Sequence, residues 1–233
     1  MNSKNENMYT SGEYITSNPT WHVEYSSYKS KQVLDMINRN KIEIKSVCDV
    51  GCGAGGVLMT LKERLPSGIY YDGYDISPHA INLCPKGEFI NFILGDITDT
   101  KDVKYDLLLA LDVVEHIEDY IGFLRSLKMK SKYKIFIFPI ELYVLKIIFM
   151  SKILIGRKAV GHLHYFSKET ALATLVDAGY EIIDWKYSEN SFKHVKLKKS
   201  RYILEFLREI PFKLHEDIAV RFFGGHSLVV LAS

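Results

Sequence analysis

The stretch Val47-Cys48-Asp49-Val50-Gly51-Cys52-Gly53-Ala54-Gly55-Gly56-Val57 constrains this chain more than any other. Its first residues form a short apolar run that reads as a buried strand. A glycine cluster follows, and then Leu58 to Leu65 reads as a helix with Leu58, Leu61 and Leu65 on one side. Strand, glycine turn and helix open a nucleotide-binding βαβ unit. Glycine reaches positive φ cheaply and lets a ligand touch the backbone. The helix behind the turn presents free N–H groups and a partial positive charge.

The turn fits two templates. Gly51, Gly53 and Gly56 match G-x-G-x-x-G, the dinucleotide fingerprint. Gly51, Gly53 and Gly55, preceded by Asp49, match acidic-x-Gly-x-Gly-x-Gly. Asp49 shifts the weight to the second. A carboxylate at the strand end repels a pyrophosphate but suits a ligand carrying positive charge.

Further elements follow in order. Ile69 to Asp75 reads as a second strand ending in an acid, and Ser77 and Pro78 cap the helix behind it. A strand-end acid such as Asp75 accepts hydrogen bonds from a ribose diol in either template. Glu88 to Leu94 is a third strand, followed by Gly95-Asp96-Ile97. Tyr105 to Leu111 is nearly all apolar, as a central parallel strand should be, and runs into Asp112-Val113-Val114-Glu115-His116-Ile117-Glu118-Asp119. Lys132 to Phe138, Tyr180 to Tyr187 and His226 to Ala232 complete the strands, with a helix from Thr170 to Ala178 capped by Ser167.

These four motifs, in this order and spacing, resemble those of class I S-adenosylmethionine-dependent methyltransferases of the small-molecule type. The segment from His162 to Ile183 is similar to the corresponding part of ubiquinone-type O-methyltransferases and their relatives. The resemblance implies an α/β, Rossmann-like, doubly wound sheet of seven strands. The sheet is mostly parallel, with the last strand antiparallel beside the sixth and helices on both faces. It implies an N-terminal segment and cofactor-closing helix over residues 1–45. The cofactor domain then fills 46–233, with insertions at about 140–165 and 188–225. S-adenosylmethionine is the implied cofactor and a small-molecule methyl acceptor the implied partner. By the same carry-over, the backbone of Gly51, Cys52 and Gly53 faces the amino-acid end of the cofactor, with Asp49 in support. Asp75 and Ile76 sit at the ribose, Asp96 and Ile97 at the adenine, and Leu111, Asp112 and Val113 at the methionyl side.

Methyl transfer from a sulfonium needs proximity and alignment, and an oxygen or nitrogen acceptor also needs a base. An oxygen acceptor is expected first, nitrogen or carbon after it. Among His22, His116, His162 and His164, the expected base is His164, with His116 second. Trp21, Tyr25, His162 and Tyr165 are expected at the substrate wall. No metal-ligand cluster stands out from spacing.

Two other readings compete. An NAD(P)-dependent oxidoreductase explains the glycines and Asp75 but not Asp49, Asp96 or the 112–119 string. A non-catalytic S-adenosylmethionine-binding module would carry a spoiled cofactor motif, and this one is intact.

A chain of 233 residues, 47% hydrophobic and 25% charged, suits one α/β domain. A net charge of +2 gives no global field for nucleic acid. Cys48, Cys52 and Cys84 form no paired motif, which fits a reduced, cytoplasmic protein. Met1 to Thr20 is polar, lacks the order of a signal peptide and reads as mobile, although Tyr9 and Tyr14 offer rings to fold over a ligand. Leu142 to Ile155 is apolar on all sides apart from Lys146 and Lys152. Such a helix must be buried against something: the core, a lid over the acceptor, a second copy of the chain or a membrane face. With Arg157, Lys158 and the Lys193–Arg201 run it would attract anionic head groups. The chain is expected as a monomer or homodimer, with peripheral membrane contact as one use of this face.

Overall fold

Seven strands form one sheet in the order β3-β2-β1-β4-β5-β7-β6. They are β1 (Ser46–Val50), β2 (Tyr70–Asp75), β3 (Ile90–Leu94), β4 (Tyr105–Leu111), β5 (Ser131–Pro139), β6 (Ile182–Tyr187) and β7 (Ser227–Ala232). The first five pair in parallel, and β7 runs antiparallel between β5 and β6. This is the doubly wound topology expected from the motifs. The computed structural model describes residues 8–21, 23–101, 103–149, 151–188 and 209–233.

The central strands are largely apolar because both faces are covered. Leu108 and Ala110 of β4 join Phe136 and Phe138 of β5 on one face. Leu107 and Leu109 join Ile135 and Ile137 on the other. The helices around the sheet include α1 (Glu13–Ser17), α2 (Ser26–Asn40), α3 (Gly56–Arg64), α4 (Pro78–Ile81), α5 (Tyr120–Leu127), α6 (Val144–Ile148), α7 (Ser151–Val160), α8 (Lys168–Asp177) and α9 (Glu216–Phe223). The second face is covered by Val33, Met36 and Ile37 of α2 with Val57, Leu58 and Leu61 of α3. Ser30 ties these two helices, its hydroxyl donating to the carbonyl of Val57 at 3.2 Å.

Two segments differ from expectation. Residues 8–21 carry a helix and pack inward, with Tyr14 buried and its ring 5.0 Å from that of Trp21. Three aromatic rings in this stretch supply the apolar anchor that its polar composition conceals. The apolar stretch from Leu142 is two short helices, α6 and α7, not one. Ile153 is buried, but Ile147, Ile148, Phe149, Leu154 and Ile155 are exposed. The Lys193–Arg201 run lies outside the described residues.

Because the strands are parallel, β1, β2, β4 and β5 all end on one edge, where the connecting turns leave a crevice. The turn after β1 depends on Gly51, which has φ +69. A Cβ there would lie 2.8 Å from Cγ2 of Val113. Gly51→Ala is expected to lower stability by about 2 kcal/mol or more, from left-handed strain and overpacking together, read as a fall in the urea midpoint.

Candidate functional site

Four carboxylates from different strand ends meet at this edge: Asp49 of β1, Asp75 at the end of β2, and Asp112 and Glu115 just beyond β4. Asp75 is held by backbone donors on both oxygens. The N–H of Gly53 donates to Oδ2 at 2.9 Å and that of Ser77 to Oδ1 at 2.8 Å. Burial pushes its carboxyl up, and these two donors oppose the shift. The hydroxyl of Ser77 donates to the carbonyl of Tyr9, which closes the N-terminal segment over the strand end.

Asp112 has φ +58, a costly backbone for a residue with a side chain. It is kept there by its N–H, which donates to the carbonyl of Ile137 at 3.1 Å, and by an ion pair of 2.8 Å with Lys29 of α2. The Lys29 ammonium also donates to the carbonyl of Leu111 at 3.2 Å. Burial lowers the pKa of Lys29, but the carboxylates of Asp112, Glu115 and Asp49 outweigh it and the net shift is upward. Asp49 is 2% exposed, and burial raises its pKa to about 7 against the pull of Lys29. Lys29 played no part in the expected site. Its signal in the sequence is a lysine four residues before Val33, inside the stripe that α2 turns to the core.

Glu115 belongs to the short 3-10 turn Val114–His116 and is fully buried. Burial first, and then the charge of Asp112, hold its carboxyl well above the usual range. Neither oxygen meets a hydrogen-bond donor outside its own residue. The carbonyl of Glu115 accepts from the N–H groups of Leu163 and His164 at 2.8 and 3.1 Å. That pairing brings His162 beside Glu115 and His116, with the two imidazole centroids 4.8 Å apart. Burial, and then the nearby His162, lower the pKa of His116 to about 4. Nδ1 of His162 lies 2.7 Å from a carboxylate oxygen of Glu141, which follows β5 and is paired with Lys146.

The expected base is placed elsewhere. His164 donates from Nε2 to the carbonyl of Ile117 at 2.9 Å and packs on Tyr120. The structure therefore gathers Glu115, His116, His162 and Glu141, and not His164. Spacing alone shows no metal-ligand cluster, whereas the fold places one donor atom each from Glu115, His116 and His162 within 4.8 Å of one another. Glu141 escaped the sequence reading because nothing local marks it, and its partner is 21 residues away.

The other expected site residues surround this edge. Gly53 has φ +55, and the protein atom closest to a Cβ there is the carbonyl oxygen of Trp21 at 3.9 Å. Cys52 is buried beneath the turn, against Gly73. Ile76 is exposed beside Asp75, while Ile97 is buried and Asp96 accepts from the N–H of Thr98 at 2.7 Å. Leu111 is buried at the end of β4, next to Val113 and Gly51. Tyr25 closes the short turn Val23–Tyr25 ahead of α2. Tyr165 donates from its hydroxyl to the carbonyl of His162 at 3.2 Å. Trp21 has its indole N–H buried with no acceptor among the described residues. Tyr9 donates to the carbonyl of Val160 at 2.9 Å and lies 3.0 Å from Nδ1 of His116. Burial, and then Asp75 and Asp112, push the Tyr14 phenol up to about 12, so this ring also hangs over the carboxylates.

Residues 48–130 match a family model described as a methyltransferase domain. The chain is 30% identical over 93 residues to norajmaline N-methyltransferase of Rauvolfia serpentina, covering 36% of this chain and 31% of that protein. It is 30% identical over 103 residues to the mitochondrial ubiquinone biosynthesis O-methyltransferase of Schizosaccharomyces pombe, covering 40% and 36%. The matches thus span about a third of the length of these curated relatives. In fold, the chain is similar to magnesium protoporphyrin IX methyltransferase of Synechocystis PCC 6803, solved with bound S-adenosylhomocysteine. The TM-score is 0.65 at 16% identity, over 98% of this chain and 99% of that one. A SAM-dependent methyltransferase from Archaeoglobus fulgidus superposes with a TM-score of 0.57 at 22% identity, over 89% and 96%.

Because Asp49 is easier to ionise in the unfolded chain, the unfolded state holds fewer protons from about pH 4 to 7, and stability falls as pH rises through that window. Asp49→Asn removes this cost. The variant is expected to gain on the order of 1–4 kcal/mol over the parent at pH 8 and nothing at pH 4, by urea unfolding at both.

Proposed function

We propose that this chain, which carries a class I methyltransferase domain, binds S-adenosylmethionine at the carboxyl ends of β1, β2 and β4. We propose further that it methylates a small molecule, with an oxygen as acceptor atom. The observation that carries the reading is the Asp75 carboxylate, fixed by Gly53 and Ser77 at a strand end where a ribose diol would lie. Three further features fit the same ligand. Asp49 and Asp112 are acidic where an ammonium and a sulfonium would lie, and the buried indole N–H of Trp21 awaits an acceptor. The space beside Gly53 is open in the protein itself.

The bound cofactor would supply a methyl group already activated by its sulfonium. The residues of this chain then have three tasks: to hold the ligand, to exclude water and to receive the acceptor's proton. Asp75, Asp96 and Ile97 hold its nucleoside end, and the glycine turn with Asp49 holds the amino-acid end. Tyr9, Tyr14 and Trp21 form a roof that keeps water out. An acceptor hydroxyl loses its proton most readily at the Glu115, His116 and His162 cluster, which adjoins Asp112 under the same roof. Two imidazole nitrogens converge there on Glu115, whereas Nε2 of His164 is already committed to Ile117.

No helix among the described residues is long and apolar enough to cross a membrane. The exposed row Ile147, Ile148, Phe149, Leu154 and Ile155, with Arg157 and Lys158 beside it, is nonetheless a greasy face rimmed by cations. It supports the reading of an acceptor drawn from an anionic lipid surface. Co-sedimentation with anionic vesicles that weakens with salt is the expected result. A concentration-dependent dimer without vesicle binding would assign the face to a second copy instead.

Calorimetry tests the cofactor. S-adenosylmethionine is expected to bind and NAD not to. Asp75→Ala should weaken binding by roughly 2–4 kcal/mol through loss of charge-assisted hydrogen bonds. Gly53→Val should abolish it while the chain stays folded. Equal affinity in both variants would remove this turn from the site.

A further inference from the structure

The unanswered group at this edge is Glu115. It is fully buried, and neither oxygen meets a donor from another residue. Two imidazole nitrogens face it instead. Nε2 of His116 lies 3.9 Å and Nε2 of His162 4.0 Å from the same oxygen, Oε1. These separations are too long for hydrogen bonds, but they are those of atoms converging on a common centre.

The far side of each ring is held by oxygen. Nδ1 of His162 donates to Glu141 at 2.7 Å. Nδ1 of His116 lies 3.3 Å from the carbonyl of Gly161 and 3.0 Å from the hydroxyl oxygen of Tyr9. The Tyr9 proton is itself donated to Val160, so both oxygens accept from His116. Each ring is therefore protonated at Nδ1, and each turns a lone pair on Nε2 toward a carboxylate. Both Nε2 atoms face a buried acid whose own oxygens have no donor from another residue, and a cation is a fitting partner for that acid. Fixing Nδ1 with a carboxylate or carbonyl is how proteins aim imidazoles at a metal.

We propose that Glu115 Oε1, His116 Nε2 and His162 Nε2 form a site for one divalent transition-metal ion of the Zn²⁺, Fe²⁺ or Co²⁺ class. Two imidazoles and one carboxylate suit these ions, whereas Ca²⁺ and Mg²⁺ prefer oxygen donors alone. The three donor atoms lie within 4.8 Å of one another. Around an ion at about 2.1 Å they would stand roughly 3.4 Å apart, a closure that small side-chain rotations supply. The backbone for it is pinned on both sides. Leu163 and His164 donate to the carbonyl of Glu115, and Glu141 donates to that of Phe166 at 3.0 Å.

Three protein donors leave coordination positions open. If the methyl-transfer reading holds, an acceptor hydroxyl filling one of them would give up its proton more easily. That consequence rests on the proposed function, whereas the ion site itself does not.

The test is titration of chelator-treated, untagged full-length protein with Co²⁺, followed by visible absorption and by calorimetry. One ion per chain is expected, with the intense bands of a low-coordinate site. Glu141→Gln should weaken binding about 10–100-fold. Glu115→Gln and His162→Ala should weaken it by more, with circular dichroism confirming that each is folded. His215→Ala removes an exposed histidine far along the chain and should bind as the parent does. Absence of stoichiometric binding would overturn the site, as would unchanged affinity in folded Glu115→Gln. If binding is seen but no methyl transfer ever is, the site stands and the proposed function fails. If transfer is seen without binding, Glu115 is a protonated buried acid and the site fails.

Discussion

A single ammonium group organises the carboxyl edge of this sheet. Lys29 comes from a helix that precedes the first strand, yet it reaches Asp112 and the last carbonyl of β4 and lies close enough to Asp49 and Glu115 to feel their charge. Acids taken from water at the ends of neighbouring strands repel one another, and each is costly to ionise. Lys29 pairs directly with Asp112 and opposes the upward shift that burial gives Asp49 and Glu115. Burial still leads in both of these acids.

The sheet was readable in the sequence because its signals are local. Most of the strands centre on short apolar runs, β1 to β5 end at a glycine, proline or acid, and parallel pairing follows from the helices between them. Asp75 was readable for the same reason: its two backbone donors come from the next turn and from the glycine turn already identified. The acidic string after β4 was readable as a string, but not as a set of charges with different fates. Those fates depend on Lys29 and on what buries each side chain.

The remainder is long-range. His162 meets Glu115 because two backbone amides beyond it bond one carbonyl after β4, and Glu141 meets His162 because the chain leaving β5 lies beside Phe166. No period or spacing in one dimension encodes these contacts. His164 looked the better base from its position, since both histidines follow the same insertion. The backbone between them bends where Leu163 and His164 both donate to the carbonyl of Glu115, which leaves His162 toward Glu115 and His164 toward Tyr120.

The roof built by the N-terminal segment has a kinetic meaning. It is fastened over the crevice by Ser77 bonding the carbonyl of Tyr9, by the Tyr9 hydroxyl bonding Val160 and His116, and by tilted ring contacts. Segments held in this way open at a small fraction of the free energy that unfolds the core. A molecule enclosed beneath it departs no faster than the roof lifts, whatever its own affinity. Residence time of a ligand in the crevice is thus a property of Tyr9, Tyr14 and Trp21 as much as of the strand ends.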